Sequence, residues 1–318
     1  MKARYETITR DGHTLDILTD PENRLRLAVS RLGAEMVSLA RKVESISSND
    51  DAEKNWRGFL WRDGDVTKIS EGWNNHATVM GYYIHRLKNE RTIYRGHEIR
   101  GGTHSFLRHK NFNAPLCDLD ACALTYRIEP EQIAPEEYPL KVAFSLTYAL
   151  QHEQLRVTFH FENQEPELNA HVSFGLHPGF AASSLEAAQV FLPAGDYVRH
   201  VAPENFLSGE TQPFHHDGGP MPFDKAELPD SFLLELKNVP QPVFVFEDAP
   251  TARSVELDFR EAPFVTIWSN GQPFICVEPC WGLPDHHEQR AFENKLGIQI
   301  IPPRGTLTRS FTITPEIK

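Results

Sequence analysis

A large antiparallel β-sandwich is the fold class that this sequence predicts, and three observations predict it. Apolar and polar residues alternate with period two over several long runs. Helical periodicity is scarce. The 23 prolines fall mostly between the alternating runs. Period two is the pattern of a strand with one buried face, and a proline between strands costs the sheet no ladder hydrogen bond.

The strongest alternation lies in KVAFSLTYAL, where Val142, Phe144, Leu146, Tyr148 and Leu150 share one face and Ala143, Ser145, Thr147 and Ala149 the other. A polar QHEQ follows, and LRVTFHFEN repeats the pattern, with Leu155, Val157, Phe159 and Phe161 opposite Arg156, Thr158, His160 and Glu162. Two such runs around a polar break read as an antiparallel hairpin. Near the end of the chain, Leu307, Phe311 and Ile313 alternate with Thr306, Thr308, Ser310 and Thr312. RLRLAVS, PVFVF, SVELDF, PFVTIW and PFICVE are further strand candidates. The polar stretch 44–54 reads as a loop or a short helix, and AASSLEAAQ at 181–189 is too small and polar for a long core helix. Strands follow one another without intervening helices, which argues against a parallel β/α arrangement. With no linker, composition shift or internal repeat, residues 1–318 are expected to form one domain.

Composition narrows the functional classes. Hydrophobic residues make up 40% and charged residues 24%, ordinary globular usage. A formal charge of -12 disfavours nucleic acid or an anionic membrane as partner. No apolar stretch approaches bilayer length, and MKARYETITRDGHTLDIL has no apolar leader core. Four cysteines, at 117, 122, 276 and 280, are too few in 318 residues for a disulfide framework. A cytoplasmic protein, monomer or homodimer, is expected.

Four places hold polar residues that a plain sandwich does not require. Residues 85–112 cluster histidines and cations between apolar anchors, with turn glycines at 96, 101 and 102. In VSFGLHPGF, His177 precedes Pro178, which holds it extended. In FICVEPCWGLPD, Glu278 ends an apolar run and precedes Pro279; a carboxylate there is costly to desolvate without partners. In LPDSFLLEL, Asp230 heads a strand. Each has a plainer reading: a turn or core histidine for His177, a loop histidine for His104, a surface ion pair for Glu278, solvated cations for Arg86 and Arg108, a turn residue for Asp230. The combination carries the functional reading.

That combination resembles the aldose 1-epimerase (galactose mutarotase-like) family, and within it the branch of LacX-type homologues. The likeness runs from AVSRLGAEMVSLA to TLTRSFTI. LWRDGD, HRLKN, HSFLR, SFGLHPGF and PFICVEPCWGLPD resemble family segments in the family's order and spacing, and the C-terminal KLGIQIIPPRGTLTRSFTI resembles its closing strands. The resemblance implies that His177 is the catalytic acid and Glu278 the catalytic base. It also implies that Arg86 and His104 bind the sugar. Arg108 and Asp230 are further candidate contacts from the residues themselves, and Trp281 or Trp268 is a candidate stacking face, with core packing the plainer role for Trp268. Three positions depart from the family pattern: His85 and Ser105 stand where glycine is usual, and Gly179 replaces an aromatic residue or alanine.

The implied reaction interconverts α and β anomers of a hexose or related sugar by acid–base ring opening. It needs no metal, nucleotide or covalent intermediate, so no cofactor is expected. Three rivals stand beside it. One is a non-catalytic carbohydrate binder or sensor on the same scaffold. Another is a hexose-6-phosphate 1-epimerase, for which Arg86, Lys88, Arg91, Arg95, Arg100 and Arg108 would supply cations. The third is a zinc site from Cys276, Cys280, His286 and His287, although adjacent histidines diverge and the first cysteine sits inside an apolar strand. The pair His215–His216 reads as a loop.

Overall fold

The period-two runs become strands whose buried faces are the apolar ones. In the computed structural model, which describes residues 2–43 and 55–318, Val142–Gln151 and Gln154–Asn163 pair as the expected hairpin with Gln151 opposite Gln154. Phe144, Leu146, Tyr148, Phe159 and Phe161 on its apolar face are fully buried. The C-terminal strand Thr306–Ile317 adds to this hairpin, with Ile313 opposite Leu155. The 44–54 stretch, expected as a loop or a short helix, lies outside the described residues.

The hairpin and the C-terminal strand are central in a nine-stranded sheet. Its order is Gly219–Pro220, Ala188–Leu192, Val243–Asp248, Arg253–Asp258, Thr306–Ile317, Gln154–Asn163, Val142–Gln151, Ala123–Ile128 and Leu116–Asp118. A second, seven-stranded sheet runs Thr211–His216, Gly195–His200, Phe232–Asn238, Phe264–Trp268, Phe274–Trp281, Phe174–Ala181 and Ala77–Met80. The N-terminal strands form a five-stranded sheet in sequence order. The pairings between the named strands are antiparallel. The protein is therefore an all-β sandwich. Its described helical segments are short 3-10 turns, and AASSLEAAQ leads from turns directly into the Ala188–Leu192 strand.

The two large sheets interlock through aromatic side chains. Phe161 meets Phe174 with ring centroids 4.8 Å apart, and Phe159 meets Trp281 at 5.8 Å. Leu176, Val277 and Ile267 of the seven-stranded sheet point into this same core. Strand alternation then dictates that His177, Glu278 and Thr266 face the other way. That second face is covered by the 85–108 segment and by the chain after Trp281.

Asp285 ties these two covers together. Its side chain accepts from the Lys88 amide at 2.9 Å and from buried Lys295, and its amide donates to the Arg86 carbonyl at 3.2 Å. Asp285 and Lys295 are 3% and 6% exposed. Removing one member of a buried pair strands the other charge. Asp285→Ala is therefore expected to lower stability by about 3–5 kcal/mol in urea unfolding, against less than about 0.5 kcal/mol for an exposed control such as Asp230→Ala.

Candidate active site

Register, more than any loop, brings the acid and base candidates together. Gly175 pairs with Cys280 and Gly179 with Cys276, so His177 stands directly opposite Glu278 on the neighbouring strand. On the outer sides, Thr78 is opposite His177 and Thr266 opposite Glu278. The four residues form one row across the sheet, and opposite residues in a sheet have Cβ atoms about 5 Å apart. The observed contact is His177 Nε2 to Glu278 Oε1 at 3.4 Å. Glycine makes the close approach of these strands possible. A Cβ at Gly175 would stand 2.4 Å from the Pro279 carbonyl oxygen and 2.9 Å from Met80 Cε.

The pair forms the wall of a cavity of about 260 Å³, at the small end for ligand sites. Burial dominates its electrostatics. The Glu278 carboxyl is 1% exposed and is pushed well above the usual range by desolvation. Desolvation, reinforced by His85 and Arg108, lowers His177 to about 3. Both shifts favour the neutral form of each group, a carboxylic acid beside a neutral imidazole. His177 Nδ1 and Glu278 Oε2 are buried and have no protein hydrogen-bond partner.

Arg86, His104 and Arg108, the residues expected to contact substrate, line the same cavity. The His104 ring stands 5.2 Å from that of His177, edge to face. His104 Nδ1 accepts from the His85 amide at 3.2 Å. An accepting Nδ1 leaves the proton of a neutral imidazole on Nε2, and burial together with the neighbouring imidazoles and guanidiniums keeps His104 neutral. Its other ring nitrogen is thus a fixed donor.

Two expected contacts are corrected. Trp281 is fully buried on the core side, donates through Nε1 to the Glu261 carbonyl at 2.8 Å and stacks on Phe174 at 5.0 Å. Its odd offset from Glu278 turns it away from the cavity. Asp230 does not head a strand; it ends the 3-10 segment Lys225–Asp230, is exposed, and lies outside the cavity lining. Its neighbour Ser231 lines the cavity, as does Asn205.

The departures from the family pattern also have a physical account. His85, His104 and Ser105 all adopt the left-handed backbone region, with φ of 55°, 65° and 64°. Glycine suits such positions best; here Ser105 Oγ accepts from the Tyr82 amide at 3.1 Å, and the His85 amide engages His104. The His85 side chain also enters the site, lining the cavity with Nε2 3.4 Å from Thr266 Oγ1. At Gly179, a Cβ would stand 2.5 Å from the Trp73 ring. The missing side chain admits Trp73, which stacks on His177 at 4.9 Å and lines the cavity with Trp268. Trp73 was not singled out from sequence; the small residue after His-Pro was the available signal.

The cysteines and histidines weighed as a zinc site are rearranged. Among the described residues, the groups with closely spaced ligand atoms are His177–Cys276–Glu278 and His85–Glu278–Cys280, without His286 or His287. Burial raises both thiols well above their usual range, and the thiol form is a poor metal ligand.

The buried groups make stability depend on pH from two directions. Unfolded Glu278 ionises near 4.3 whereas the folded carboxyl stays protonated to much higher pH, so folding loses stability as pH rises above about 4.3. Glu278→Gln is expected to be more stable than the parent at pH 7–8 in urea unfolding. His85 and His177, both lowered to about 3, act in the opposite sense. Unfolded histidine takes up a proton near 6.5, so each costs up to about 1.4 kcal/mol per pH unit between pH 6.5 and 3. His85→Asn, which tolerates the left-handed backbone, should flatten that acid limb.

Known proteins share both sequence pattern and architecture with this chain. The aldose 1-epimerase family model matches residues 16–301. No curated protein sequence matches the chain. A galactose mutarotase related enzyme from Lactobacillus acidophilus is similar over 98% of this chain and 97% of its own, with TM-score 0.77 and 23% identity. A galactose mutarotase-like protein from Lactobacillus casei follows with TM-score 0.75, 19% identity and coverage of 98% and 100%. A galactose 1-epimerase from Lactobacillus acidophilus NCFM has TM-score 0.65, 13% identity and coverage of 99% and 98%. The family match, spanning the row of residues that builds the cavity, means that this chain belongs to the aldose 1-epimerase family.

Proposed function

We propose that this protein is an aldose 1-epimerase, which interconverts the α and β anomers of a hexose or related sugar by opening and closing the ring. The observation that carries the reading is the buried His177–Glu278 pair at 3.4 Å in a sugar-sized cavity. A binding protein has no need of an acid and a base held together out of water.

The chemistry follows from the single proton of the pair. A pyranose between the two side chains presents its C1 hydroxyl to Glu278 and its ring oxygen O5 to His177. These hydrogen bonds favour the ionised arrangement, imidazolium beside carboxylate. Glu278 takes the O1 proton as His177 delivers one to O5. The O1–H electrons form the C1=O1 bond, and the C1–O5 electrons leave with oxygen. The result is an open-chain aldehyde beside a neutral carboxyl and a neutral imidazole. Burial favours those neutral forms, so the site stabilises the ring-opened state electrostatically. Rotation about C1–C2 and reversal of both transfers give the other anomer. His104 Nε2–H and the Arg86 guanidinium hold ring hydroxyls, and Trp73 offers a face for the C–H side of the sugar. The four free cysteines, three of them buried, suit a reducing cytoplasm. Among the described residues no helix is long and apolar enough to cross a membrane.

Polarimetry on fresh α-glucose and α-galactose tests the reading: the protein should hasten the drift to equilibrium, and a drift at the spontaneous rate for all aldoses would rule it out. General acid–base catalysis is worth roughly 10²–10⁴-fold per group. His177→Asn and Glu278→Gln should each lower kcat at least about 100-fold while circular dichroism stays unchanged. His104→Ala should raise KM; an unaltered KM and kcat would place that imidazole outside the sugar's reach.

A further inference from the structure

His85 is the departure from the family pattern that reaches furthest into the site. A glycine there would bring no side chain and no strain. This chain instead places a histidine with φ of 55°, 8% exposed, in the cavity lining. Left-handed backbone and a buried imidazole both cost stability. The mounting is firm all the same: the His85 amide donates to His104 Nδ1 at 3.2 Å, and its carbonyl accepts from the His104 amide at 2.8 Å.

The ring comes down on the side of the carboxyl away from His177. Thr266 stands opposite Glu278 on the next strand, and His85 Nε2 lies 3.4 Å from Thr266 Oγ1. A ring nitrogen of His85 is within 4.8 Å of a Glu278 carboxyl oxygen. No direct hydrogen bond joins these two side chains: Glu278 Oε1 faces His177, and Oε2 has no protein partner. One carboxyl is thus flanked by two imidazoles, in contact with the first and set apart from the second by a gap. A gap of that width matches one bridging oxygen, with about 2.7–3.0 Å to each side.

Charge limits what the second imidazole can do. Desolvation, reinforced by the Lys295 ammonium, lowers His85 to about 3, and Lys295 is itself held by Asp285. His85 therefore stays neutral near pH 7. A neutral imidazole keeps one N–H, and the Thr266 hydroxyl, which can donate or accept, suits either tautomer. Such an N–H is an electrophile for an oxygen that is becoming a carbonyl.

We propose, building on the mutarotase reading, that His85 is a third catalytic residue: its imidazole donates a hydrogen bond to the anomeric oxygen O1, which bridges His85 and Glu278. As Glu278 takes the O1 proton, the O1–H electrons form the C1=O1 bond and negative charge builds on O1. The His85 N–H stabilises that charge and keeps its own proton throughout, while His177 delivers a proton to O5 as before. A family member with glycine at this position has no such donor, so the device belongs to this chain.

The test uses the best substrate among glucose, galactose, xylose and arabinose, followed by polarimetry. The 1,5-anhydro analogue of that sugar, which lacks O1, serves as a competitive inhibitor. His85→Gly and His85→Asn both suit the left-handed backbone. In each, kcat should fall at least about tenfold while the inhibition constant of the 1,5-anhydro analogue stays within about twofold of the parent's. Imidazole added to His85→Gly should restore part of the rate, after subtraction of its own catalysis in solution; furan, a ring of similar size without an N–H, should not. In the parent protein, needing no variant, the nitrogen-15 NMR signal of the His85 ring should shift on binding the sugar and not on binding the 1,5-anhydro analogue. Equal shifts with the two ligands, a kcat within about twofold of the parent's in both variants, equal rescue by furan, or inhibitor binding lost in step with kcat would each overturn the role of His85 and leave the mutarotase reading standing. No acceleration of any aldose by the parent protein would overturn both.

Discussion

The pairing of one imidazole with one carboxyl across two neighbouring strands is the constraint on which the rest of the site depends. Backbone register sets it: Gly175 against Cys280 and Gly179 against Cys276 leave His177 facing Glu278. A slip of one residue in either strand would turn its member of the pair into the aromatic core. The bare Cα of Gly175, under the Pro279 carbonyl, permits the approach. A sheet interior is a rigid mounting, and a proton-transferring pair needs its geometry held within a fraction of an ångström.

Burial then sets the electrical state of that pair. Desolvation raises the carboxyl and lowers the imidazole, so burial favours the neutral form of both. The same burial leaves Glu278 Oε2, His177 Nδ1 and Thr78 Oγ1 without protein partners. Unpaired buried polar atoms destabilise a fold, and these three lie along one row of the sheet. The left-handed residues His85, His104 and Ser105 add strain to the segment that covers this row. Strain and unmet polarity both occur where the chemistry would take place, while the opposite face of the same strands is an ordinary apolar core.

Much of this was legible from the chain before folding. Alternation in 142–163 reports the central hairpin, because one face of a strand must be apolar when only one face is buried. His177 and Glu278 stood out because each precedes a proline within or at the end of an apolar run. Trp281 and Asp230 were misjudged for local reasons. Trp281 is three residues from Glu278, so alternation sends it to the other face, whereas its aromatic ring alone made it a stacking candidate. Asp230 has the look of a strand cap, yet Pro229 and the turn at Ser231 keep it in a 3-10 segment at the surface. Trp73 escaped notice because its segment carries no periodic pattern, and its ring fills space that only the absence of a side chain at Gly179 creates.

By itself the sequence determined the class of fold and the position of most core strands, since these follow from local periodicity, and it marked His177 and Glu278 as residues that are costly to bury; their roles as acid and base are what the family resemblance implies. The tertiary structure decided which residues share the cavity: two strands about a hundred residues apart align in register, and the 85–108 segment folds over them. It also decided the charge state. Whether a histidine or a carboxyl is neutral depends on how much water surrounds it and which charges lie beside it, and both are properties of packing that no stretch of chain carries alone.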